Sequence, residues 1–265
     1  GDESDMLRKM KIGQLQAGVF TSFGLNKIAP EILALSVPLL IQNNEELQYV
    51  LENVKPIIEQ RIERERFKAI AWSIAGWVRF FSKEPVYSPQ SLMKMKMAAN
   101  PSEHELLQTW KILGFRPIPV SVTEVLTALN SGMVDALYNS PLVVAGYQWF
   151  GVADNMLDLK ITPFIGSIII DERTWRRIPD NLKPELRANL EEVERRLDNN
   201  ILELEEESIE LMESYGLNIN TLSSGQAEEW NDVFSDGIEM TLGTVFDREM
   251  VETILVARLA KELGL

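Results

Sequence analysis

Few residues in this chain can do covalent or acid–base chemistry, and their spacing narrows the choice further. The sequence has one histidine, His104, and no cysteine. The missing cysteines remove disulfides, thiolate metal sites and sulfur nucleophiles together. His104 lies in a predicted helix, and no Ser or carboxylate stands where it would complete a triad or a metal site; His104-Glu105 does not begin an HExxH pattern. The ordinary reading is an exposed or half-buried helix residue. No GxGxxG, GxxxxGKS/T or GxSxG run occurs, so phosphate-cradling loops and the nucleophile elbow are absent. Asp135, Glu124 and Tyr138 remain as acid–base candidates for an α/β enzyme. Glu124 stands in the first turn of a predicted helix, where capping or the macrodipole accounts for it.

Binding chemistry is better represented. Trp72, Trp77, Phe80 and Phe81 surround Gly76, with Arg79 among them, and Tyr138, Tyr147, Trp149 and Phe150 surround a second turn. Aromatic side chains at strand ends of an α/β sheet are where ligand clefts form; core packing is the competing reading for each. Met93, Met95 and Met97 read as core or as a flexible apolar wall, since Met adapts to irregular shapes.

The elements that must position these residues alternate. Apolar spacing and acidic first-turn residues predict a helix from Asp2 to Ile12, stopped at Gly13. Strands are predicted over Ala17 to Phe20, Ile32 to Leu35, Phe67 to Trp72, Trp77 to Phe81, Met93 to Ala99, Val134 to Leu137, Phe164 to Ile170 and Asn218 to Thr221. Helices fall between them: Glu45 to Arg66 capped by Asn44, Glu103 to Leu113 ended by Gly114, a helix from Ser121 or Thr123 to Leu129, Leu142 to Phe150, and a short helix capped by Asp171. Pro56 should split or kink the first of these. The longest helix runs from Pro179 to about Tyr215, roughly 50 Å at 1.5 Å per residue. Leu182, Leu186, Leu190, Val193, Leu197, Ile201 and Leu204 form its apolar stripe opposite an acidic face. Packing on the strands is the expectation for that stripe, with a coiled-coil seam or a docking surface as the alternatives. The alternation argues for an α/β class with largely parallel sheets.

At 265 residues, 45% hydrophobic, the chain can bury one or two cores. A net charge of −14 is repelled by phosphate backbones and anionic lipid, so nucleic acid is excluded as a partner. No stretch approaches ~18 consecutive apolar residues, the length of a membrane span. Gly1-Asp2-Glu3-Ser4-Asp5 is polar and acidic where a signal peptide is basic and then apolar; the expectation is a removed signal or a trimmed chain.

The run from Pro117-Ile118-Pro119 through Thr123-Glu124-Val125, Ala128-Leu129, Gly132 and Val134-Asp135 follows P-x-P-x-x-x-S/T-E-V-x-x-A-L-x-x-G-x-V-D. It resembles a signature of the solute-binding proteins of TRAP transporters (tripartite ATP-independent periplasmic, DctP type). Gly1 to Gly18, Pro85 to Met97 and Trp175 to Pro179 resemble further family segments, in order. The resemblance implies two α/β lobes bridged by crossing strands and one long helix, with a ligand between the lobes, no catalysis and no cofactor. It places the protein in the periplasm, with a lipid anchor as one means of retention. Its partners would be a membrane permease driven by a sodium gradient and, as for some members with apolar clefts, a helical-repeat (TPR-like) protein. The lobe boundaries expected are 1–76 with about 163–203, and about 77–162 with 204–265.

Two departures from the family pattern bear on the ligand. Where most members hold a ligand carboxylate with Arg, this chain has Ala98, which cannot form a bidentate pair. The usual Glu-Asn is Tyr138-Asn139. The ligand expected is therefore more hydrophobic than a C4-dicarboxylate or a sialic acid, with a monocarboxylate allowed if Arg79 supplies a cation. The binding residues expected are Trp77, Arg79, Ala98, Tyr138, Asn139, Trp149 and Phe150; no metal ligands are expected. Family members carry roughly fifty more residues before this point, without which the first sheet has an exposed edge.

Overall fold

The computed structural model describes residues 3–263, apart from the side chains of Asp198 and Asn199. Gly1 and Asp2, the start of the first predicted helix, lie outside the described residues. The elements run α1 (Glu3–Lys11), β1 (Ala17–Thr21), α2 (Ser22–Leu25), α3 (Asn44–Arg64), β2 (Phe67–Ser82), α4 (Pro89–Met93), β3 (Lys96–Ala99), α5 (His104–Ile112), β4 (Arg116–Pro119), α6 (Val125–Asn130), β5 (Ala136–Asn139), α7 (Pro141–Gly146), β6 (Asn155–Leu157), β7 (Thr162–Asp171), α8 (Glu172–Arg177), α9 (Lys183–Ser214), β8 (Asn218–Asn220), α10 (Ser224–Thr241) and α11 (Arg248–Glu262). A seven-residue 3-10 helix occupies Pro30–Ser36, and single 3-10 turns occupy Val122–Glu124 and Trp149–Gly151.

The fold is the two-lobed α/β arrangement expected. Its strands run in the order β1-β7-β2-β5-β3-β4, with β6 beside β2 and β8 beside β6. Among the described strands only β3–β4, β3–β5 and β6–β8 pair in parallel. The pairs made by β2 and β7 are antiparallel, so the largely parallel sheet expected holds in the second lobe alone. The reason is that β2 and β7 pair along most of their length while passing between the lobes. The two strands predicted at Phe67 and Trp77 are thus one strand of 16 residues, its register shifting between Ile74 and Trp77. Gly76 sits in that shift at φ +86°, a left-handed conformation that suits glycine.

Local signals explain several other differences. Asn43, not Asn44, caps α3, accepting the Glu46 N–H at 2.9 Å. Pro56 does not break that helix, because Val50, Leu51, Val54, Ile58 and Ile62 all bury on one face; this burial outweighs the ~3 kcal/mol that an interior proline costs. Ile32 to Leu35, apolar enough to read as a strand, forms part of a buried 3-10 helix behind Pro30. Asp171 caps α8 as expected, accepting from Thr174 N.

Three apolar clusters form the cores. One fills the first lobe between α1, α3, the 3-10 helix at Pro30, the first half of β2 and β7. The others lie in the second lobe, one including Phe80, Trp110, Phe115, Trp230 and Phe234, the other including Phe81, Leu137, Trp149 and Met212. Helix α11 packs on α3 in the first lobe through Met250, Val251, Ile254 and Ala257, and Arg258 meets Glu46 at 3.2 Å. The expected assignment of 204–265 to the second lobe therefore does not hold for this helix, whose apolar face matches that of α3.

The long helix also differs from expectation. It lies along β2, but Glu194 and Glu205 contact that strand, while Leu182, Val193, Leu197 and Leu204 of the apolar stripe are exposed. Backbone N–H groups of β2, including the Trp77 N–H at the register shift, need acceptors that leucine cannot supply.

Candidate ligand-binding cleft

Between the lobes lies a cleft of about 810 Å³, within the range of small-molecule sites. One wall is built by the C-terminal ends of the parallel strands β3, β4 and β5, which contribute Ala98 to Asn100, Val120, Ser121, Tyr138 and Asn139. Parallel strands end together, and the loops that leave them diverge and open a crevice there. The opposite wall comes from the first lobe: Glu3 and Ser4 on α1, Thr21, Phe23 and Gly24 around α2, and Ser36 and Pro38. The linking strands close the back through Val78 and Pro163-Phe164.

Much of the lining is aromatic or aliphatic. Trp110 and Tyr138 meet at 5.2 Å between ring centroids, and Tyr147 stacks on Trp149 at 5.1 Å. The charged residues in the lining are Glu3 and Glu103; no Lys, Arg or His is among the described lining residues. Glu103 immediately precedes α5. Its Oε2 accepts the Tyr138 hydroxyl at 3.0 Å, and Asn100 adds a second neutral hydrogen bond. Burial raises its pKa from 4.5 to about 7, and the nearby charge of Glu3 pushes in the same direction. Burial and the Glu103 charge together push the Tyr138 hydroxyl well above its ordinary range. Glu3 is held by Thr21, whose N–H and hydroxyl each donate at 2.8 Å. Gly24 makes room for it: a Cβ there would stand 2.2 Å from the Glu3 carboxylate.

Four of the seven expected binding residues line this cleft: Ala98, Tyr138, Asn139 and Trp149. Asn139 turns its Oδ1 to the Ser140 N–H at 2.9 Å, which leaves its amide NH2 for a ligand. Trp77, Arg79 and Phe150 are not in the lining. Val78 faces the cleft, so its neighbours on the strand point to the other side. There Trp77 Nε1 donates to Asn44 Oδ1 at 2.7 Å, and Arg79, 6% exposed, lies 3.1 Å from Glu205. Glu205 also accepts the Trp77 N–H at 2.8 Å. Phe150 packs half-buried against the second-lobe core.

The acid–base candidates are not brought together. Asp135 precedes β5, at the end of the strand away from the cleft, beside Lys96. Glu124 is exposed and bonded to Ser121 Oγ, and His104 is exposed at the start of α5. Of the methionines, Met97 is buried in the second-lobe core and Met93 and Met95 pack against it. Among the described residues no group of three His, Cys, Asp or Glu could hold a metal ion, and no helix is long and apolar enough to cross a membrane.

The family model of bacterial extracellular solute-binding proteins, family 7 (DctP), matches residues 1–240. The chain belongs to this family. A solute-binding protein of Roseobacter denitrificans is 29% identical over 222 residues, covering 82% of this chain and 67% of the relative. The sialic acid-binding periplasmic protein of Vibrio cholerae is 22% identical, covering 83% of this chain and 68% of its own length. Among solved structures, a TRAP periplasmic solute-binding protein from Xanthobacter autotrophicus with bound β-D-galacturonate matches at a TM-score of 0.86 and 18% identity, covering 98% of this chain and 85% of that one. This chain is thus a TRAP-type solute-binding protein with the two-lobed fold of its neighbours, and the family consists of binding proteins, not enzymes.

Sequence reasoning missed Glu103, Asn100, Trp110, Phe23 and Glu3. In Asn100-Pro101-Ser102-Glu103 the carboxylate reads as a helix-start residue, and Trp110 as helix core; the latter reading is correct as well, since Trp110 is 2% exposed. A signal was present in Tyr138, which replaces the family's acid while a different acid stands at Glu103.

Proposed function

We propose that this protein captures a small, largely apolar organic solute between its lobes in the periplasm and delivers it to a TRAP-type membrane permease. The observation that carries the reading is the lining of the interlobe cleft: aromatic and aliphatic walls, Ala98 at the position of the family's carboxylate-clamping Arg, and no cationic side chain among the described residues. A bidentate Arg pair is what makes carboxylate recognition strong, and this cleft has none to offer. Arg79, which would have supported a monocarboxylate, is engaged by Glu205 behind the cleft. The helical-repeat partner and the lipid anchor rest on the family resemblance alone.

Native mass spectrometry of the full-length protein from its host, followed by denaturing extraction, tests the reading, because a closed cleft releases its ligand slowly. A retained lipophilic or aromatic molecule is the expected result. A small diacid would overturn the apolar cleft while keeping the binding function. A protein that retains nothing, and shows no thermal shift with any of a broad metabolite set, would overturn the binding function.

A further inference from the structure

The two lobes each present a carboxylate to the same cleft. Glu3 reaches it from α1 in the first lobe, and Glu103 from the start of α5 in the second. Neither has a cationic partner within the lining. Glu3 is fixed by neutral donors on Thr21, and Glu103 by the Tyr138 hydroxyl and Asn100. A carboxylate out of bulk water is normally paired with a cation, because uncompensated buried charge is costly. Two other carboxylates show the usual compensation: Glu205 meets Arg79 and Glu46 meets Arg258, all four side chains largely buried. The two acids of the cleft lack such a partner, and both line the same cavity.

The walls beside these acids suit a cation. Tyr138 adjoins Glu103 with Trp110 packed on it, and Phe23 and Tyr147 present accessible rings, while Trp110 and Trp149 are each 2% exposed. Aromatic faces attract ammonium and amidinium groups, and most strongly where water is excluded.

From the cleft's two facing carboxylates and its aromatic walls we infer that the solute is an organic cation, an ammonium or amidinium on a compact apolar body, whose charged group binds between Glu103 and Glu3. This rests on the binding function proposed above and names its ligand class. The arrangement also couples binding to closure. In the empty protein burial and the charge of Glu3 both oppose ionisation of Glu103, so bringing the walls together costs either like-charge repulsion or uptake of a proton. A cation between them removes that cost and attracts both walls, so closure is favoured only around the right ligand.

The test compares cations with anions of matched skeleton on the full-length protein after refolding to remove retained molecules. Thermal shifts are recorded with phenethylamine against hydrocinnamate, benzamidine against benzoate, and cyclohexylamine against cyclohexanecarboxylate, and the charge of any molecule released from the untreated protein is determined by mass spectrometry. The expected result is stabilisation by amines and not by their carboxylate counterparts, with a released molecule that is cationic. In Glu103→Gln, amine affinity should fall by about 10–100-fold, the loss expected for a charge-assisted hydrogen bond, while circular dichroism and the unliganded melting temperature show a folded protein. Stabilisation by carboxylates, a released molecule that is neutral or anionic, or unchanged amine affinity in Glu103→Gln would overturn the assignment and leave the binding function standing. Silence of every compound together with no released molecule would overturn both.

Discussion

Burial raises the pKa values of both Glu103, half-buried in the cleft, and Glu205, buried beside β2, yet they do opposite work. Glu205 is compensated from within the chain. It reaches from α9 into the register shift of β2, accepts the Trp77 N–H that the shift leaves unpaired, and meets Arg79 at 3.1 Å. Gly76 clears its path, since a Cβ there would stand 2.2 Å from the Glu205 carboxylate. Glu103 has only neutral donors, with a second acid nearby. A charge neutralised by its own chain holds the lobes' connection in shape. A charge left without a counter-ion in a cleft is a request for a ligand.

The contrast can be broken at several points. Glu205→Ala should have the largest effect, because it leaves Arg79 buried without its anion and Trp77 N–H without its acceptor. A loss of about 3–5 kcal/mol of stability is expected for a broken buried pair, read by urea denaturation. Gly76→Ala should cost about 2 kcal/mol, since the alanine must take a left-handed conformation and meet the Glu205 carboxylate; in a Glu205→Ala background the steric part of that cost should vanish, and a double-mutant cycle measures the difference.

Glu103 should behave in the reverse sense. Its folded pKa, about 7, lies above the ordinary 4.5, so the folded protein holds the proton more tightly than the unfolded chain does. The unliganded protein therefore loses stability as pH rises from about 4.5 to 7, by about 3 kcal/mol at most. Glu103→Gln should remove that slope and leave the protein at neutral pH as stable as the parent or more so. A flat pH profile in the parent would show that Glu103 is solvated like a surface acid. The smallest effect is expected of His104→Ala, which changes an exposed residue at the start of α5 and should leave ligand affinity unaltered.

Much of this architecture was legible in the sequence because it depends on local signals. The α5 boundary at Gly114, the Asp171 cap and the signature from Pro117 to Asp135 all mark elements by residue type and spacing. The family resemblance then supplied the two lobes and the cleft, and it located Ala98, Tyr138 and Asn139 in the lining. What escaped were features set by facing rather than by identity. Whether Trp77 and Arg79 or Val78 looks into the cleft is a matter of strand parity, which a run of apolar residues on both sides of a buried strand conceals. The leucine stripe of α9 suggested a core-facing helix, but the groups that meet it are N–H groups of β2, one of them at a register shift that the sequence marks only by Gly76. Glu103 and Glu3 are 100 residues apart, and their meeting at one cleft follows from closure of the fold alone.

The most direct measurement is a crystal structure of the full-length protein as purified from its host, with its retained solute in place. The expected finding is a molecule between the lobes with an ammonium or amidinium nitrogen roughly 3 Å from a Glu103 carboxylate oxygen, its apolar body against Phe23 and Tyr147. A solute whose carboxylate occupies that position, or one bound away from both Glu103 and Glu3, would contradict it.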